Sequence, residues 1–218
     1  YGVTLAGPGA PVRVNSPLVA GGNVYDFRFS PDGARLVYVA DQVVDERYTI
    51  YSVTQFGGTP IQVSQTLGAG QQFGDFVFSA DGDTLVYDTY TETDYYPSLY
   101  SAHVDGSGDP RRVVDPATRI DSWDVIPSGD RVLYEAFVGS GTNSELYSAA
   151  ADGHGVAVRL SGPMIAGGNI SNFRASPDES RVVYMADQSI DEVEELYGAI
   201  IPAVQPETLQ LFLPVTVR

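Results

Sequence analysis

Cysteine is absent from the 218 residues, and there are only two histidines, two methionines and one tryptophan. The first absence excludes a disulfide framework, a thiolate metal site and a cysteine nucleophile, and it says nothing decisive about compartment. The two histidines, His103 and His154, have no local partner pattern, and no G-x-S-x-G, phosphate-cradling loop or H-E-x-x-H is present. The chain is therefore read as a non-enzyme. Charge is scarce and one-sided: 18% charged residues, 12 Lys and Arg against 28 Asp and Glu, and a formal net charge of -16. Nucleic acid and anionic membrane surfaces would be repelled, which favours a cation or a basic protein as partner. Long hydrophobic runs are also missing. Residues 196–204 and 211–217 are the longest, each contains proline, and both fall far short of the roughly 20 residues that span a bilayer. No secretory leader is visible, although the first residue is Tyr1 rather than Met, as after processing or truncation.

What is present points to a folded all-β chain. Hydrophobic residues make up 43%, glycine numbers 23, proline 14 and tyrosine 14, and no stretch keeps the three-to-four apolar spacing of a helix. The stretch FRFSPDGARLVYVADQ at 27–42 returns three more times. Tyr38, Tyr87, Tyr134 and Tyr184 each have an aromatic residue eleven places earlier (Phe27, Phe76, Trp123, Phe173) and a second tyrosine thirteen places later (Tyr51, Tyr100, Tyr147, Tyr197). The successive spacings are 49, 47 and 50 residues, a period that signals a solenoid, a propeller or an array.

One period reads as an antiparallel meander of four strands, A to D, with a tight S-P-D-G turn between A and B. Strand B is almost continuously apolar, as in a strand covered on both faces. The units run over 16–64, 65–114, 115–160 and 161–201, and residues 163–192 parallel 17–46 without a gap. Residues 1–15 resemble the back half of a repeat. Residues 202–218 form a tail with one candidate added strand.

Units of the form F-x-F-S-P-D-G, apolar strand B, L-Y and G-G-x-P resemble the TolB-like family of β-propeller repeats, over Tyr1 to about Ile201. The resemblance implies four-stranded blades around a central channel, usually a binding function, and a secreted or periplasmic location in bacteria. Two closures are open: a four-bladed ring completed by the N-terminal half-repeat, or an incomplete arc, the C-terminal part of a larger ring. The second is favoured, and an open arc invites self-association through blade edges.

The SPDG aspartates Asp32, Asp81 and Asp178 read as turn residues that bond backbone amides two positions on. The repeated aromatics read as core. Variation is concentrated in the loops between strands B and C, which share one face of a propeller. They hold Asp41, Asp45 and Glu46; Asp88, Tyr90, Glu92, Asp94, Tyr95 and Tyr96; and Asp187, Asp191 and Glu192. These are the candidate partner-binding residues, an acidic, tyrosine-bearing surface suited to protein interaction. Calcium is the minor alternative, because the loops lack D-x-D-x-D-G spacing and the third has no acid. No other cofactor is expected. Beside a non-catalytic scaffold for protein interaction stand two further readings: the accessory propeller of a larger prolyl-oligopeptidase-like hydrolase, and a lectin-like propeller that binds calcium or sugar.

Overall fold

The computed structural model describes residues 11–93, 96–115 and 117–203. Within them the chain forms fifteen strands and no helix. Blade 1 comprises β1 (Val24–Phe29), β2 (Arg35–Ala40), β3 (Thr49–Thr54) and β4 (Ile61–Gln62). Blade 2 comprises β5 (Gln71–Phe78), β6 (Thr84–Thr91), β7 (Ser98–His103) and β8 (Arg111–Arg112). Blade 3 comprises β9 (Arg119–Val125), β10 (Arg131–Phe137), β11 (Ser144–Ala150) and β12 (Val158–Arg159). Blade 4 has β13 (Ile170–Ala175), β14 (Arg181–Ala186) and β15 (Glu195–Ile200). Each sheet is an antiparallel meander in chain order, four-stranded in blades 1 to 3 and three-stranded in blade 4 among the described residues. The added strand expected in the tail falls on 204–218, and most of the N-terminal half-repeat on 1–10, outside the described residues.

The A–B turn forms for the reason its sequence suggests, with a serine as partner. Asp32 accepts the Ser30 hydroxyl at 2.6 Å and the Ala34 amide at 3.0 Å, while Ser30 Oγ accepts the Arg35 amide at 3.0 Å. Asp81 with Ser79 and Asp178 with Ser176 repeat the arrangement. The hydroxyl and amide bonds hold these three carboxyls below the usual aspartate range. Turns of neighbouring blades are also fastened to each other. The Ala80 amide donates to the Ser128 carbonyl at 3.0 Å, and the Ser128 amide to the Glu179 carboxylate.

Strand B alternates its side chains between two faces. Val37 and Val39 of β2 pack with Phe76, Leu85 and Tyr87 of blade 2, whereas Leu36, Tyr38 and Ala40 form a separate cluster covered by Val14 and Leu18. The same apposition joins blade 2 to blade 3 and blade 3 to blade 4. The paired tyrosines lie opposite each other on strands B and C and stack, with ring centroids 5.4–5.5 Å apart in all four blades. Strand A carries a bulge beside the strand-B tyrosine in every blade, which increases the local twist.

One core expectation fails. Phe76 is 2% exposed, but Phe27, its equivalent, is 64% exposed. Phe76 has the aliphatic face of blade 1 against it, and no described blade precedes blade 1. β14 departs from the continuous burial of β2 for the mirror-image reason: its burial alternates because no described blade lies against one face of blade 4.

Candidate functional site

The B–C loops are built on a repeated carboxylate clamp. In blade 1 the Asp41 carboxylate accepts the Asn23 amide at 2.5 Å and the Glu46 amide at 3.0 Å. In blade 4 Asp187 accepts the Asn169 and Glu192 amides at 2.5 and 3.4 Å. Each clamp ties the link entering strand A to the loop leaving strand B. Burial pushes the Asp41 carboxyl up, but the bonds from Asn23 and Glu46 outweigh it and leave it below the ordinary value. The clamp closes because Glu46 and Glu192 adopt φ of 58° and 59°, the left-handed region that glycine favours. The Gly-Gly of the link is equally required. A methyl group on Gly21 would stand 2.6 Å from the Asp45 carboxylate, and one on Gly22 would stand 2.8 Å from the Asp41 carbonyl.

The second loop is different, and two residues expected in it are not there: Asp88 and Tyr90 lie within β6, which continues to Thr91 and pairs on with β5 and β7. Asp88 is buried beneath the strand-A bulge of blade 2 and accepts the Asp75 amide at 2.7 Å. Burial pushes its pKa up to about 6, against the bond from Asp75. Glu135 sits at the matching position of blade 3, accepts the Ser122 hydroxyl at 3.0 Å and is likewise raised by burial. Tyr90 is half-buried, its hydroxyl donating to Gln72 Oε1 at 3.2 Å, and Glu92 is exposed. Tyr96 packs against blade 3. The Arg119 guanidinium lies 4.7 Å from the Tyr96 ring centre and 4.9 Å from that of Phe137, and it donates to the Tyr96 hydroxyl at 2.7 Å. Asp94 and Tyr95 lie outside the described residues.

The structure thus divides the candidate residues. Asp41, Asp88 and Asp187 have carboxylates engaged by backbone amides, and Asp41 and Asp88 are buried. Asp45, Glu46, Glu92, Asp191 and Glu192 are exposed and form the acidic part of the rim. Apolar residues that the acidic pattern does not include stand between them: Val43, Val44, Ile190 and Val193 are exposed on the same loops. Their signal was present, since apolar residues in a loop of acids have no place in the blade core. His103 and His154, distant in sequence, both line a cleft of about 650 Å³ between the C–D turns of blades 2 and 3, together with Arg111, Asp109 and Asp152. Among the described residues no three His, Asp or Glu side chains gather as a metal site would require, and no helix is long and apolar enough to cross a membrane.

Residues 3–108 match the model of a family described as the lipoprotein LpqB β-propeller domain. A solved structure described as a TolB from Agrobacterium tumefaciens superposes with a TM-score of 0.51 at 21% identity, over 91% of this chain and 69% of that one. The fold is that of β-propeller blades. A second likeness is to dipeptidyl peptidase 4 of Porphyromonas gingivalis, with a TM-score of 0.57 at 18% identity, over 79% of this chain and 24% of that one. At these identities both likenesses concern the fold alone. No curated protein matches the chain.

Proposed function

We propose that this TolB-like propeller is a non-catalytic scaffold that presents its B–C rim to a basic protein partner at or outside the bacterial cell envelope. The observation that carries the reading is the composition of the rim. Exposed Asp45, Glu46, Asp191 and Glu192 flank exposed Val43, Val44, Ile190 and Val193, so that apolar contact and charge recognition are offered side by side on clamped loops. The envelope location draws on the family model, whose description names a lipoprotein. A second reading, the accessory propeller of a larger hydrolase, is favoured by the fold likeness to a dipeptidyl peptidase, of which this chain spans 24%.

The test is retention of envelope proteins on the immobilised chain, compared with a variant carrying Asp45→Lys, Glu46→Lys, Asp191→Lys and Glu192→Lys. The expected result is a basic protein retained by the parent, released by raised salt and lost in the variant. Retention of the same proteins by both would remove the rim from the function. Peptide hydrolysis by the parent chain would sink the non-catalytic reading.

A further inference from the structure

The joints between described blades share one plan. An aliphatic face of the earlier blade, such as Val37, Val39 and Ile50, meets an aromatic face of the next, such as Phe76 and Tyr87. Leu133 and Leu146 meet Phe173 and Tyr184 in the same way. The joint of blades 1 and 2 carries something further at its B–C end. A pocket of about 120 Å³ is lined by Tyr25, Val39 and Tyr48 of blade 1 and by Gln72 and Phe73 of blade 2. Tyr25 and Tyr48 meet edge to face with ring centroids 5.6 Å apart, and Phe73 meets Tyr87 in the same manner at 5.7 Å.

The repeat does not account for these rings. Tyr25 is the bulged residue of β1, and Gly74, Asp121 and Ser171 hold its place in the other blades. Where Tyr48 precedes β3 the other blades have Pro97, Ser144 and Glu194, and where Phe73 enters blade 2 they have Val24, Ile120 and Ile170. Val39 stands in the place of the buried acids Asp88 and Glu135. Three aromatic residues that blade formation does not require thus converge on one joint. Carboxylates surround them from both blades. Burial, and then Asp41, Tyr25, Glu46 and Asp45, push the Tyr48 hydroxyl up, so the negative field of the first B–C loop reaches the pocket wall. From blade 2, Gln72 donates to the Glu92 carboxylate at 3.4 Å, while its Oε1 accepts the Tyr90 hydroxyl at 3.2 Å. Arg47, the one cation of the first B–C loop, is exposed and does not line the pocket.

We propose that this pocket takes a lysine side chain of the basic protein bound by the rim, its methylenes against Tyr25, Tyr48 and Phe73 and its ammonium in the field of Asp45, Glu46 and Glu92. The assignment rests on the reading of the rim as a surface for a basic protein. Aromatic walls attract an organic cation through their ring electrons, and do so most strongly where water is displaced. The pocket has room for about four water-sized groups, which suits the slender tip of a lysine. A guanidinium brings five N–H donors in a rigid fork. The walls would meet them with two tyrosine hydroxyls and an amide that Tyr90 and Glu92 already engage.

The probe is Nα-acetyl-lysine methylamide, titrated at low salt and followed through the backbone amide resonances of the chain. Saturable shifts at Tyr25, Tyr48 and Phe73 are expected, and the same probe acetylated on its side-chain nitrogen should cause none. Tyr25→Ala and Phe73→Val should each weaken binding by about threefold or more. Tyr25 is 74% exposed, so its removal leaves the fold intact and the comparison clean. Binding unchanged in Tyr25→Ala would overturn the proposal, as would an equal response to the acetylated probe or a stronger one to tetramethylammonium. Retention on the immobilised chain separates this proposal from the rim reading. A basic protein held equally by the parent and by Tyr25→Ala would overturn the pocket and leave the rim standing. A pocket that titrates as expected, on a chain that retains no basic protein, would bear out the pocket and remove the rim's partner.

Discussion

Tyr134 faces Tyr147 across strands B and C of blade 3, the two rings stacked with centroids 5.5 Å apart and planes 14° apart. Tyr134 is buried in the joint with blade 2, and burial pushes its pKa up to about 12. Tyr134→Ala should therefore cost about 3 kcal/mol through lost burial, lost stacking and an unfilled cavity. Chemical denaturation checks this, and a variant as stable as the parent would contradict the core assignment.

Phe27 and Phe76 occupy the same repeat position and should respond oppositely. Phe76→Ala removes a ring that is 2% exposed and should cost about 3 kcal/mol or more. Phe27→Ala removes one that is 64% exposed and should stay within about 0.5 kcal/mol. The pair of melting curves must be taken at the lowest workable protein concentration, where association does not contribute.

Asp88 gives the chain a pH dependence of definite sign. Burial pushes its carboxyl up to about 6 from an ordinary value of 3.8. Between those values the folded chain keeps a proton that the unfolded chain has released, so this group's contribution lowers stability as pH rises through the window. Asp88→Asn keeps an acceptor for the Asp75 amide and removes the buried charge. It should be more stable than the parent by about 2–3 kcal/mol above pH 7, with the gain vanishing near pH 4. Asp32, Asp81 and Asp178 act in the opposite sense. Their folded values lie below 3.8, so their contribution is present above that pH and is lost on acidification. A gain from Asp88→Asn that did not change with pH would show that the carboxylate is not the cause.

Glu46 and Glu192 hold backbone angles that cost a residue with a β-carbon about 1 kcal/mol. Glu46→Gly should relieve that cost, and a raised unfolding midpoint is the expected readout. Glu179 has φ of 58° as well, but its carboxylate accepts the Ser128 amide of the neighbouring turn. Glu179→Gly should therefore gain less than Glu46→Gly.

The blades were legible in the sequence because their determinants are local and repeated. The paired tyrosines, thirteen residues apart, fall opposite each other on adjacent strands, and the S-P-D-G turn closes through its own side chains. What was not legible depends on neighbours that the pattern does not contain. The motif of Phe27 is that of Phe76, and what separates a surface ring from a core one is whether a described blade packs against it. Asp88 reads as an acid of the B–C loop, yet β6 runs on past it and buries it, and burial raises its carboxyl as it does that of Glu135 at the matching position. In the rim, Asp41 and Asp45 look alike as acids, yet the Asn23 and Glu46 amides claim the first and leave the second at the surface.

The repeated apposition of an aliphatic with an aromatic face has a genetic consequence. Because each blade offers one face of each kind, duplication or loss of a whole repeat of about fifty residues creates no type of contact that the chain does not already make. Blade number is then a quantity that recombination within a gene can change in single steps. The close likeness of residues 17–46 to 163–192 is the kind of trace such steps leave.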